Sequence, residues 1–239
     1  METLPALIEA LPRLFSRGDL VALAVFLLCS ALTTQLIEHP PRRRPSVSSL
    51  MGDHRRRWME EVGRREVRIM DAQLLSTLRQ GSAFFGSTSL IAIGGVAALI
   101  GQTDQLVSLG RDFGAGLAQN AEVVWEAKLL IVLLVLVNAF LKFVWAHRLF
   151  GYVAVLLGAL PRSDAEGLAS AVARVDAIHQ AAARNFNRGL RTVYFAIAAL
   201  GWFLGPAVLA LTAVLTTLML IRREFFSRSW RALDESGRR

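Results

Sequence analysis

Asn138 and Lys142 stand four residues apart inside an apolar run, so on a helix they share one face, continued by Trp145 and Leu149. Polar groups are costly inside a bilayer, and such a pair marks a substrate or ion path by default. The competing reading is structural: the pair makes a bond within the bundle, or the lysine runs its methylene stem to the headgroups. Glu126 and Lys128, beside Trp125, lie at the other end of that run and read as interfacial anchors. The four histidines, His39, His54, His147 and His179, have no metal-ligand spacing to one another or to Cys29. His39 and His147 fall near the same membrane face, where they read as interfacial residues rather than as a haem pair. No HExxH, GxSxG, P-loop or paired DxD motif is present. Nucleotide-driven pumping by this chain alone is therefore excluded, and neither a metal nor a cofactor is expected. The lone cysteine excludes an intrachain disulfide framework.

The elements that must position these residues are membrane spans. Of the 239 residues 54% are apolar and 19% charged, and the mean hydropathy is +0.43. A typical soluble domain carries roughly 25% charged residues, so a soluble enzyme is a poor fit. A bilayer core needs roughly 20 helical residues. Four runs qualify: about 20–37, 83–100, 129–149 and 193–221. The first reads as a mature span rather than a cleaved signal, because a long segment with Glu2 and Glu9 precedes it and no clean small-x-small site follows. Leu4 to Phe15 is apolar with two prolines and reads as interfacial. No barrel-like alternation competes. Between the spans, 54–80 and 163–191 read as amphipathic helices. The first places Trp58, Val62, Ile69, Gln73 and Leu74 near one face, has i,i+4 pairs such as Arg56–Glu60 and Glu61–Arg65, and runs on to the second span with Gly81 as its one break. The second opens on a Ser163–Glu166 capping box and carries Ala171, Val175, Ile178 and Ala182 as its stripe. Pro40, Pro41 and Pro45 mark a non-helical linker, Glu38 to Asp53. The expectation is an all-α fold in a single membrane domain, 1–239, with four transmembrane helices whose cytoplasmic extensions form two long helical hairpins.

Charge orients the chain. Ten arginines lie between the first and second runs and six from Arg148 to Arg191, but only Arg111 lies between the second and third. Placing the N-terminus outside puts sixteen arginines inside against nine outside. The cost of that choice is the tail: Arg222, Arg223, Arg228, Arg231, Arg238 and Arg239 would then also lie outside. A turn at Gly205-Pro206 could return the tail, but roughly thirty residues are too few for two full crossings. Pro206 reads instead as a kink, and Gly94, Gly95, Gly101 and the Gly201-x-x-x-Gly205 pattern as surfaces for close helix approach. The arginine-rich helices read as topology determinants with a solvated face, or as a binder of anionic headgroups or an acidic partner. No groove-reading motif accompanies the charge, so no nucleic acid is expected.

The run His54-Arg55-Arg56-Arg57-Trp58, then Arg65-Glu66, then Ile69-Met70-Asp71-Ala72-Gln73-Leu74-Leu75 resembles a bacterial inner-membrane family with plant relatives, catalogued as domain of unknown function five-nine-nine. So do Phe140-Leu141-Lys142-Phe143-Val144-Trp145 and Asn185-Phe186-Asn187-Arg188-Gly189-Leu190-Arg191 leading into Tyr194-Phe195. The likeness covers about residues 18–230. It implies a multi-pass membrane protein and no particular activity. A site shared by such a family would form where Arg57, Glu66, Asp71, Lys142, Arg188 and Arg191 meet near the inner headgroups. The same residues would equally bond the hairpins to one another, and a partly buried arginine–carboxylate network serves assembly as readily as catalysis.

These readings converge on a non-enzymatic, multi-pass protein of the bacterial inner membrane. It would be a scaffold or accessory subunit whose basic cytoplasmic face binds anionic lipid headgroups, with a second copy or a membrane complex as partner. Two alternatives stay open. One is a small oligomeric channel or transporter with Asn138 and Lys142 along its path. The other is a membrane enzyme acting on anionic lipid through the arginine–carboxylate cluster.

Overall fold

Ser16 opens the first helix by a reciprocal cap: its Oγ accepts from the Asp19 amide at 3.1 Å and donates to the Asp19 carboxylate at 2.6 Å. In a computed structural model, which describes residues 15–112 and 121–234, the chain then runs through eight helices among the described residues. These are α1 (Arg17–Glu38), α2 (Val47–Arg64), α3 (Ile69–Ile100), α4 (Thr103–Asp112), α5 (Ala121–Gly158), α6 (Leu168–Ala199), α7 (Pro206–Phe225) and α8 (Arg228–Leu233), with a 3-10 turn, Leu200–Leu204, before α7. No strand occurs among the described residues. Arg17–Glu38, Ile69–Ile100, Glu122–Gly158 and Pro206–Leu233 are long and apolar enough to cross a membrane. Leu28, Ile91, Leu134 and Leu211 on them are exposed, as side chains meant for lipid would be. The interfacial reading of Leu4 to Phe15 falls, except for Phe15, outside the described residues, as do Arg238 and Arg239.

The chain forms two compact units. Unit 1 comprises 1–33, 90–137 and 192–220; unit 2 comprises 34–89, 138–191 and 221–239. Unit 1 packs Phe26 edge-on against Phe195 and stacks Phe15 on Trp202, above Ala22, Val132, Leu209 and Ala213. Unit 2 packs Met59, Val62 and Leu75 with Phe150, Val153, Val175 and Ala182. A second aromatic group there joins Phe85, Phe143 and Phe186. Gly189 lets α6 meet α5: a Cβ at that position would lie 2.6 Å from the Phe143 ring.

Several expected boundaries move. Residues 54–80 are not one helix. Helix α2 ends at Arg64, because Arg65 is extended, and α3 begins at Ile69. The Arg68 guanidinium fills the break, donating to the carbonyls of Val62, Leu160 and Pro161 and so bonding the ends of α2 and α5. The proline linker is shorter than expected, since Ser46 caps α2 by accepting from the Ser49 amide. The Ser163–Glu166 capping box does not form. Those residues lie in turns, and Gly167, at φ +85°, redirects the chain so that α6 starts at Leu168.

The fourth expected span, 193–221, is two limbs rather than one kinked helix. Gly205, at φ +123°, takes a conformation open to glycine, and Pro206 then starts α7 where its missing N–H costs nothing. The two limbs lie against each other, with the Thr212 hydroxyl bonding the Ala198 carbonyl at 2.8 Å. Gly201 meets Thr212 at this crossing, whereas Gly205 makes the turn, so the two glycines do not form one helix face. Gly94 and Gly95 have open space where a side chain would be, so neither marks a close approach among the described residues. Beyond α7 the tail joins unit 2. Arg44 donates to the Phe225 carbonyl, Glu224 accepts from the amide and hydroxyl of Ser48, and the Trp230 indole donates to the Pro45 carbonyl.

Candidate functional site

Glu38 ends α1, the one acidic residue in that apolar helix besides Asp19 at its start. Its carboxylate, 11% exposed, accepts from Arg188 and Arg191, which stand three apart on α6 and so share a face. Arg188 Nε is 2.7 Å from Glu38 Oε1, and the second Arg188 bond and the Arg191 bond are also in place. These bonds hold the Arg188 guanidinium above its usual pKa, whereas burial pushes that of Arg191 down against the opposing pull of Glu38. Lys142 on α5 is half-buried within electrostatic range of all three. Three of the expected residues thus meet, around a carboxylate that spacing did not single out.

The others do not join them. Asp71, buried in the first turn of α3, accepts from the Trp58 indole at 2.8 Å and from Arg65 at 2.7 Å. That places a carboxylate where the helix dipole favours it. Arg57 and Glu66 are exposed. Arg57 lines a shallow surface hollow with Arg42, Arg43 and His54, and Glu66 lines another with Arg65 and Arg68. Asn138 is exposed and is not part of the Glu38 cluster. Lys128 corrects an expectation: it is no interfacial anchor but is buried in unit 1, 3.5 Å from Asp19 and bonded to the Trp202 carbonyl.

Beside the Glu38 cluster lies a cavity of about 260 Å³, built from the end of α1, one side of α2 and the facing side of α6. Arg55, Arg184, Arg191 and Asn187 line it. Arg55 belongs to a motif quoted above and Arg184 to the arginines counted between Arg148 and Arg191, but only the crossing of α2 and α6 brings them together.

His179 is buried between Trp58 and Phe150, with ring centroids 5.2 and 6.0 Å away, and neither ring nitrogen has a hydrogen-bond partner among the described residues. Burial, helped by the nearby Arg55 charge, pulls its pKa down to about 4 from 6.5. A lowered folded-state value means the neutral ring is the stabilising form. Its contribution is complete above about pH 6.5 and is lost as pH falls towards 4, up to roughly 3 kcal/mol. Thermal denaturation in detergent from pH 7 to 4 should show this slope, and His179→Leu should flatten it. An unchanged slope would count against a buried neutral His179.

Residues placed in this way describe a class: all-helical chains with four helices able to span a membrane and an arginine-rich unit organised around buried carboxylates. The chain belongs to the family described as "Protein of unknown function, DUF599", which matches residues 21–229. No curated protein and no solved structure matches it.

Proposed function

We propose that the protein is a non-enzymatic integral component of the bacterial inner membrane, a scaffold or accessory subunit whose arginine-rich unit faces the cytoplasm and holds anionic headgroups. The observation that carries this reading is the distribution of charge. Unit 2 holds ten basic residues in 34–89, seven in 138–191 and six in 221–239, which is 23 of 27; unit 1 holds only Arg13, Arg17, Arg111 and Lys128. Positive-inside bias then puts the arginine-rich stretches of these segments and the tail on the cytoplasmic side and the N-terminus outside. On this reading the Gly205 turn returns the chain without a full crossing, so the tail arginines stay on the cytoplasmic side. Exposed arginines near the surface each attract anionic lipid by roughly 1 kcal/mol.

Reporter fusions test the orientation. A fluorescent protein fused after Asp234 should fluoresce, and alkaline phosphatase inserted at Thr103 should be active; the opposite pattern overturns the topology. In vesicles the protein should melt at higher temperature with anionic than with zwitterionic lipid, and high salt should erase the difference. Solute flux or substrate turnover by the purified protein alone would overturn the non-enzymatic reading.

A further inference from the structure

The cavity beside Glu38 goes beyond that reading, since a diffusely basic face needs no cavity and a bound anion needs no membrane charge. Four arginines line it, Arg55, Arg56, Arg184 and Arg191, against two carboxylates. Glu38 is engaged by Arg188 and Arg191, and Asp53 is exposed. Arg56 is paired with Asp176 at 3.7 Å. Arg55 and Arg184 have no carboxylate at ion-pair distance among the described residues, yet they line one cavity from opposite helices. Asn187, one turn beyond Arg184 on α6, adds an amide that makes no hydrogen bond among the described residues. Arg191 is 6% exposed and its Nε has no partner among the described residues.

We propose that this cavity is a binding site for a phosphate-bearing anion, held by the guanidinium groups of Arg55 and Arg184 with the Asn187 amide as a third donor and Arg191 behind them. Planar guanidinium forks suit oxyanions. Donors converging from α2 and α6 suit a tetrahedral group with three free oxygens better than a planar carboxylate with two. The unliganded arrangement is electrostatically costly: burial and then the Arg184 charge push the Arg55 guanidinium below its ordinary pKa, against a smaller opposing pull from Asp176. An anion between the two offsets that repulsion. Ile37 and Glu38, the last residues of the first candidate span, line the same cavity. A lipid headgroup and a soluble phosphate monoester therefore share the chemistry the site recognises.

The test uses the full chain in neutral detergent, titrated calorimetrically with inorganic phosphate, glycerol phosphate and sulfate. A parallel arm uses zwitterionic nanodiscs with and without phosphatidic acid. One saturable site per chain is expected, with sulfate weaker than phosphate. Arg184→Gln and Arg55→Gln should each weaken binding about tenfold or more, Arg184→Lys should recover part of it, and Arg162→Gln, on an exposed turn, should leave it unchanged. Binding in detergent identifies a soluble source, and binding only with phosphatidic acid identifies the headgroup; either supports the site. The proposal is overturned if no probe saturates, if Arg184→Gln binds like the parent, or if Arg162→Gln weakens binding as much as Arg184→Gln. That last result is what a diffuse basic face gives, so it would leave the reading above standing while removing the site. Arg184 is exposed, so its variants should fold, and elution volume and helix content verify this if Arg55→Gln does not.

Discussion

Glu38→Ala should destabilise the protein by about 3–5 kcal/mol, because it leaves a buried guanidinium with no bonded carboxylate and only the weaker pull of Glu224. Arg191 is 8% exposed at its side chain, and Glu38 is the carboxylate it bonds. Arg188 is 42% exposed at its side chain and can turn to water when Glu38 is gone. Arg188→Ala should therefore cost much less, about 1 kcal/mol, as for a solvated pair. The discriminating variant is Glu38→Leu with Arg191→Met, which removes both charges from the buried side and should recover most of the loss. Thermal melting in one detergent checks all three. A loss under about 1 kcal/mol for Glu38→Ala would mean that water reaches Arg191. No recovery in the double variant would mean that the residues act through packing rather than charge.

The spans were legible because lipid demands long apolar runs, and composition alone delivers those. Arg188 and Arg191 were legible as one helix face three residues apart. Glu38 was not, since a carboxylate at the end of a span followed by His39 and Pro40 reads as the point where the helix meets water. Its partners are 150 and 153 positions away, a distance at which spacing says nothing. The break between α2 and α3 was equally hidden. Gly63 lies just before it but still within α2, and the break persists because Arg68 satisfies carbonyls contributed partly by the loop after α5. The turn at Gly205-Pro206 was visible as punctuation, but counting 193–221 as one run concealed that 193–199 is the end of α6, which starts at Leu168, and that α7 starts afresh at Pro206. Asp71 shows the opposite failure: it was picked out for the shared cluster, yet its bonds go to Trp58 on α2 and Arg65 just beyond it rather than to α6.

Asp19→Ala should be the most damaging single change in unit 1, again by about 3–5 kcal/mol. Asp19 does three things at once. It completes the cap with Ser16, accepts the Trp202 indole N–H at 2.6 Å, and lies 3.5 Å from Lys128, which is buried. Losing the cap alone costs about 1 kcal/mol, so a loss of that size would show that the ammonium needs no partner. Lys128→Met should cost less than Asp19→Ala, because Asp19 keeps its bonds to Ser16 and Trp202, whereas Lys128 without Asp19 retains only the Trp202 carbonyl and the ring face 5.4 Å away. The coupling between the two sites, measured by a double-mutant cycle on melting free energies, should exceed about 2 kcal/mol. Trp202 gives an independent readout: with the indole bond gone, its fluorescence should change more in Asp19→Ala than in Lys128→Met, which removes only the charge near the ring. A larger change in Lys128→Met would mean that Lys128, rather than Asp19, holds the Trp202 turn in place.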